Sequence, residues 1–119
     1  MTDIVLIAPE LNPRRLLLGQ LLEDGFDVVP SEKWPGPRPW PRPHLVIVDL
    51  CGLANAADVL RDLRGLMPPD RVIVFTGLDG LAEHDVLASG FPHVRKRPFA
   101  VGDVVQSVHA LLRGDDVKG

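Results

Sequence analysis
The sequence predicts a single α/β domain in which one parallel sheet carries helices on both faces. Short, unbroken apolar runs rich in Val and Ile recur at residues 4–7, 45–48 and 72–75, as expected of strands buried on both faces. Stretches with apolar residues at helical spacing separate and follow these runs. At 119 residues, 45% hydrophobic and 24% charged, the chain suits one domain with one core. Strands alternating with helices imply parallel pairing and right-handed crossovers.

The elements follow in order. The run Ile4-Val5-Leu6-Ile7 is the first strand, stopped by Pro9. Asn12-Pro13 reads as the cap and first turn of a helix. Leu16, Leu17, Leu18, Leu21 and Leu22 give that helix a wide apolar face, and Gly25 supplies a left-handed stop. A second short strand is expected at 26–29. Residues 33–43 carry proline at every second position from Pro35 to Pro43. Proline lacks an amide donor and clashes inside helices, so this segment stands in place of a helix and should be extended, in part as polyproline II. The third strand spans 45–48 and ends at Asp49. A helix is expected at 56–66, capped by Asn55 and ended by Pro68-Pro69. The fourth strand spans 71–75, followed by Thr76-Gly77. A weaker helix over 81–88 is closed by Gly90, and a poor fifth strand lies at 93–95. The last helix covers 101–113, with Val104, Val105, Val108, Leu111 and Leu112 on one face. This gives one domain over 1–114 and a polar, frayed tail over 115–119.

Bulk chemistry narrows the function. A net charge of -3 gives no general attraction to nucleic acid or to an anionic membrane. The single cysteine, Cys51, excludes an internal disulfide and favours a reducing compartment. The start of the chain has no basic segment, and its apolar run is too short for a signal peptide or a membrane span, so the expected location is the cytoplasm. His44, His84, His93 and His109 show no metal-ligand spacing. The chain has neither a Gly-rich phosphate loop nor a serine nucleophile elbow. The run Arg95-Lys96-Arg97 is too short to read as more than a solvated strand end.

Taken together, the order and spacing of these elements resemble the bacterial response-regulator receiver domain over nearly the whole chain. His44-Leu45-Val46-Ile47-Val48-Asp49-Leu50 looks like the strand that presents the phospho-accepting aspartate. Val72-Ile73-Val74-Phe75-Thr76-Gly77 looks like the strand ending in Thr or Ser and a small residue. Residues 90–99, with Pro98-Phe99, match the family's approach to its Lys-Pro-Phe motif, and residues 100–113 resemble its closing helix. The resemblance implies a flavodoxin-like sheet of five strands in the order 2-1-3-4-5. It also implies phosphoryl transfer from a phosphohistidine to Asp49, helped by Mg²⁺, a lysine and the Thr76 hydroxyl.

The sequence departs from that pattern where the chemistry is concentrated. Ala8 and Pro9 stand where the family has its acidic pair, leaving Glu10 as the nearest carboxylate. Arg97, with Lys96 beside it, stands at the lysine position, and Val94 at the aromatic switch position. Mg²⁺ prefers carboxylates and water in octahedral array, so no cofactor is expected; were the ion to bind, Asp49 and Glu10 would be its protein ligands. The plainer reading of Asp49 is a strand-end carboxylate paired with Arg97 or Lys96, with Arg97 making permanently the contact that the family's lysine makes. Thr76 is read either as a phosphoryl ligand or as a cap on a neighbouring amide. Cys51 is read as inert. Trp34 and Trp40 flank the proline segment, and either offer a docking surface or pack down over the sheet where a helix is missing.

Three functions compete. The first is a non-enzymatic atypical receiver acting through protein partners, such as a histidine kinase, a downstream effector, or a second copy met through residues 81–113. On chain length it is expected to be either a stand-alone receiver or one excised from a longer protein. The second is a working phospho-acceptor at Asp49. The third is a flavodoxin-like small-ligand binder using the loops at 8–11, 50–55 and 76–80, since ligands of such sheets sit beyond the C-terminal strand ends.

Overall fold
All five expected strands form, and they form one sheet, in a computed structural model that describes residues 2–77 and 81–113. They are β1 (Ile4–Ile7), β2 (Val28–Ser31), β3 (Leu45–Asp49), β4 (Val72–Thr76) and β5 (His93–Lys96). The order is β2-β1-β3-β4-β5, with every neighbouring pair parallel. The helices are α1 (Leu11–Glu23), α2 (Ala56–Leu66), α3 (Glu83–Ala88) and α4 (Val101–Arg113). A 3₁₀ turn at Pro69–Arg71 takes up the residue expected to open the fourth strand. The expected tail, and residues 78–80 of the third ligand-loop segment, lie outside the described residues.

Alternation along each strand sorts the core into two halves. Ile4, Leu6, Leu45, Ile47, Ile73 and Phe75 pack with α1 and α4 on one face. Val5, Ile7, Val46, Val48, Val72 and Val74 pack with α2 and α3 on the other. Both faces of the central strands are therefore dry, which explains why their sequences run apolar without alternation.

Several local expectations are corrected. The first helix begins at Leu11, with Glu10 in the cap position, so Asn12 and Pro13 are its second and third residues. Proline costs nothing there, because the first four helical N–H groups lack intrahelical acceptors. The leucine face is narrower than expected. Leu17 and Leu21, one turn apart, are buried, while Leu16 and Leu22 are 62% and 51% exposed. Each of those two sits about 100° around the helix from the buried pair. Gly25 does take a left-handed φ of 93°. Asn55 occupies the cap position of α2, but its side chain makes no capping hydrogen bond. The second strand starts at Val28 rather than residue 26, because residues 24–26 close the turn after α1, with Phe26 N–H donating to Leu21 O at 3.1 Å.

Between β2 and β3 no helix forms, as the prolines require. The segment is a run of bends rather than a straight polyproline helix. Trp34 and Trp40 both pack against the α2-side core, with ring centroids 5.9 Å apart and edge to face. A straight polyproline run of six residues would separate them by about 19 Å, so burying both indoles forces the chain to double back. Trp34 Nε1 donates to Asp62 Oδ2 of α2 at 3.0 Å, fastening the cover. Among the described residues no helix is long and apolar enough to cross a membrane.

Candidate functional site
Parallel pairing brings the C-terminal ends of all strands to one edge of the sheet. Asp49 ends β3, Thr76 ends β4 and Lys96 ends β5, while Ala8, Pro9 and Glu10 follow β1. Backbone bonds continue the ladder past the strand ends. Leu50 N–H donates to Phe75 O at 3.0 Å, and Arg97 N–H to Thr76 O at 2.9 Å. Arg97 is thus carried to the edge beside β4, within reach of the aspartate.

Arg97 is the centre of the site. One end of its guanidinium, Nη2, donates to Asp49 Oδ2, and the other, Nη1, pairs with Glu10 Oε1 at 2.5 Å. Asp49 is 1% exposed and Glu10 is largely in solvent. The second Asp49 oxygen accepts the Cys51 N–H at 3.0 Å. Burial alone would lower the Arg97 pKa, but hydrogen bonds to Asp49 and Glu10 outweigh it and hold the pKa above the ordinary value. The guanidinium stays charged. Its Nε is buried without a hydrogen-bond partner, and both carboxylate contacts are made from the Nη end.

The structure joins three of the expected site residues, Asp49, Arg97 and Glu10, into one charge network. Lys96 is exposed and takes no part in the Asp49 pair. Thr76 is 1% exposed and its Oγ1 has no partner, so the amide-capping reading of that hydroxyl does not hold. Cys51 packs its sulfur against Gly77, where an added Cβ would come within 2.4 Å of Sγ. Burial first, then the charge of Asp49, push its thiol up from the usual value, with Arg97 pulling the other way by less. It therefore stays protonated and unreactive at neutral pH.

One participant escaped the sequence reading. Arg14 Nη1 donates to Ala8 O at 2.7 Å and Pro9 O at 3.2 Å, and Nη2 lies 3.6 Å from Glu32. Arg14 thus clamps the turn where an acidic pair would otherwise stand. Nothing in its local sequence separates it from Arg15, because the distinction lies in which way each turn of α1 faces.

The donor set does not suit Mg²⁺. Ala8 and Pro9 have no side-chain ligand, and both nearby carboxylates are engaged by Arg97, whereas Mg²⁺ requires oxygens in near-octahedral array. Among the described residues, no three His, Cys, Asp or Glu side chains come together to hold a metal ion.

No protein-family model and no curated protein matches the sequence. Solved structures match its fold. A CheY-like response regulator receiver domain protein from Methanospirillum hungatei JF-1 superposes with a TM-score of 0.79 at 16% identity, over 100% of this chain and 99% of that one. A response regulator receiver domain protein from Clostridium thermocellum gives 0.75 at 20%, over the full length of both. NtrX from Brucella abortus in complex with ADP gives 0.78 at 18%, over 99% of this chain. There the chain spans only 28% of the length of its counterpart. With the strand order β2-β1-β3-β4-β5 and the aspartate at the end of β3, the chain has the flavodoxin-like fold of response-regulator receiver domains.

Proposed function
We propose that this chain is a non-enzymatic signalling module that works through protein contacts, with its aspartate held by an internal cation instead of being switched by Mg²⁺-dependent phosphorylation. The observation that carries this reading is the Arg97 guanidinium shared between Asp49 and Glu10. Phosphoryl transfer to a carboxylate depends on neutralising charge on the incoming oxygens. Here the available positive group is already neutralised by two carboxylates, and the carboxylate that would attack is tied down. Contacts would then run through a histidine kinase or effector, or through a second copy by way of residues 81–113.

A second reading, phosphorylation of Asp49, draws on the buried and unpartnered Thr76 hydroxyl, which is free to meet a phosphoryl oxygen. One experiment separates the two. Mg²⁺ is titrated into the protein with and without beryllofluoride, followed by amide NMR. No saturable shift at Asp49 or Thr76 up to roughly tens of millimolar, far above where a competent carboxylate site fills, is the expected result. Saturation with beryllofluoride at those residues would overturn the proposal in favour of the second reading.

A further inference from the structure
The opposite end of the sheet carries a second, unrelated feature. A cavity of about 440 Å³ lies where the proline segment enters β3, with Trp40, Arg42, Pro43, His44, Met67 and Arg71 in its wall. Cavities of this size are in the range that accommodates small ligands. Arg42, His44 and Arg71 all line it in a protein of net charge -3, and no acidic residue does, the nearest being Asp3 in the wall of the adjoining cavity that shares His44 and Arg71. Among the described residues none of the three has a carboxylate within ion-pair distance.

The basic groups are placed by structure. Arg71 is fixed by its Nη1 donating to Leu111 O of α4 at 2.5 Å. Arg42, between Pro41 and Pro43, holds a φ of 51°, a left-handed conformation that residues other than glycine seldom adopt. The His44 N–H is spent on Asp3 O at 3.0 Å, which seats that residue at the mouth of the sheet. The wall therefore offers two guanidinium-bearing side chains without carboxylate partners, an imidazole and an indole.

We propose that this cavity binds a small organic anion, with a carboxylate or phosphate group held by Arg42, His44 and Arg71 and a planar apolar body against Trp40. Guanidinium groups match both anions bidentately, and an indole face suits a flat ring. The site lies at the N-terminal strand ends, so it is independent of the Asp49 network and of the function proposed for it.

The test is an NMR titration of the full chain, at fixed ionic strength, with phenyl phosphate, with benzoate and with uncharged benzyl alcohol. Saturable shifts centred on Trp40, Arg42, His44 and Arg71 are expected for at least one anion, with a dissociation constant of about 1 mM or tighter. Which of the two binds more tightly identifies the anion. Benzyl alcohol should bind at least about tenfold more weakly. Arg42→Gln, at an exposed position, should fold normally and weaken the anion by about tenfold. Non-saturating shifts, equal binding of benzyl alcohol, shifts centred on Arg97, or a folded Arg42→Gln that binds as before would each overturn the proposal.

Discussion
Replacing Arg97 with methionine tests the site through stability. Methionine keeps most of the side-chain volume and removes the charge. Glu10, already largely exposed, simply returns to water. Asp49 cannot do so. It is 1% exposed and would keep only the Cys51 N–H on Oδ1, leaving Oδ2 a buried, unpaired anion. Breaking a buried pair by removing one partner costs about 3–5 kcal/mol. Arg97 is 26% exposed, so water reaches the vacated edge and the low end, about 3 kcal/mol, applies. For a domain of this size each kcal/mol moves the melting temperature by about 4 °C, giving a fall of about 12 °C. Urea unfolding followed by tryptophan fluorescence and a calorimetric melt would measure it. Asp49→Asn in the Arg97→Met background should recover most of the loss, because it removes the stranded charge. A loss under about 1 kcal/mol in Arg97→Met, or no recovery in the double variant, would refute the reasoning that Arg97 exists to hold a buried carboxylate.

Three further outcomes are expected. Gly77→Ala should cost about 1–3 kcal/mol, because its Cβ would meet Cys51 Sγ at 2.4 Å; in a Cys51→Ala background the penalty should largely vanish, as denaturant midpoints would show. Leu21→Ala, at a fully buried position, should cost about 2–5 kcal/mol, whereas Leu16→Ala on the exposed side of the same helix should stay within about 0.5 kcal/mol. The Asp24 carboxyl is held below its ordinary pKa, first by its hydrogen bond with His109 of α4 and then by Gln20. The stability it contributes is present above the ordinary carboxylate pKa and is lost as pH falls through the lowered value. His109→Leu should therefore flatten the acid limb of a stability profile taken from about pH 5 downward, as urea midpoints across that range would show.

What the sequence determined by itself is the ladder of strands and helices. The apolar runs at 4–7, 45–48 and 72–75 are long enough and β-branched enough to be strands in any context, and the spaced prolines exclude a helix at 33–43 whatever surrounds them. The bounds of α2, at 56–66, could be read directly because an amphipathic pattern is bracketed by turn residues. Asp49 and Arg97 were legible as candidates because one closes a buried strand and the other follows the last one. Tertiary structure decided the rest. Whether Asp49 would pair with Lys96 or Arg97 depended on which of two adjacent side chains turned inward at the end of β5. The presence of Glu10 in the same network depended on β1 lying next to β3. That Leu16 faces water, and that Arg14 clamps the β1 turn while Arg15 does not, followed from the rotation at which α1 packs on the sheet. The two tryptophans meet because a common core draws both indoles down and bends the chain between them. In each case the sequence names residues able to interact, but which pairs form is set by distances between segments far apart in the chain, and those distances exist only once the sheet has assembled.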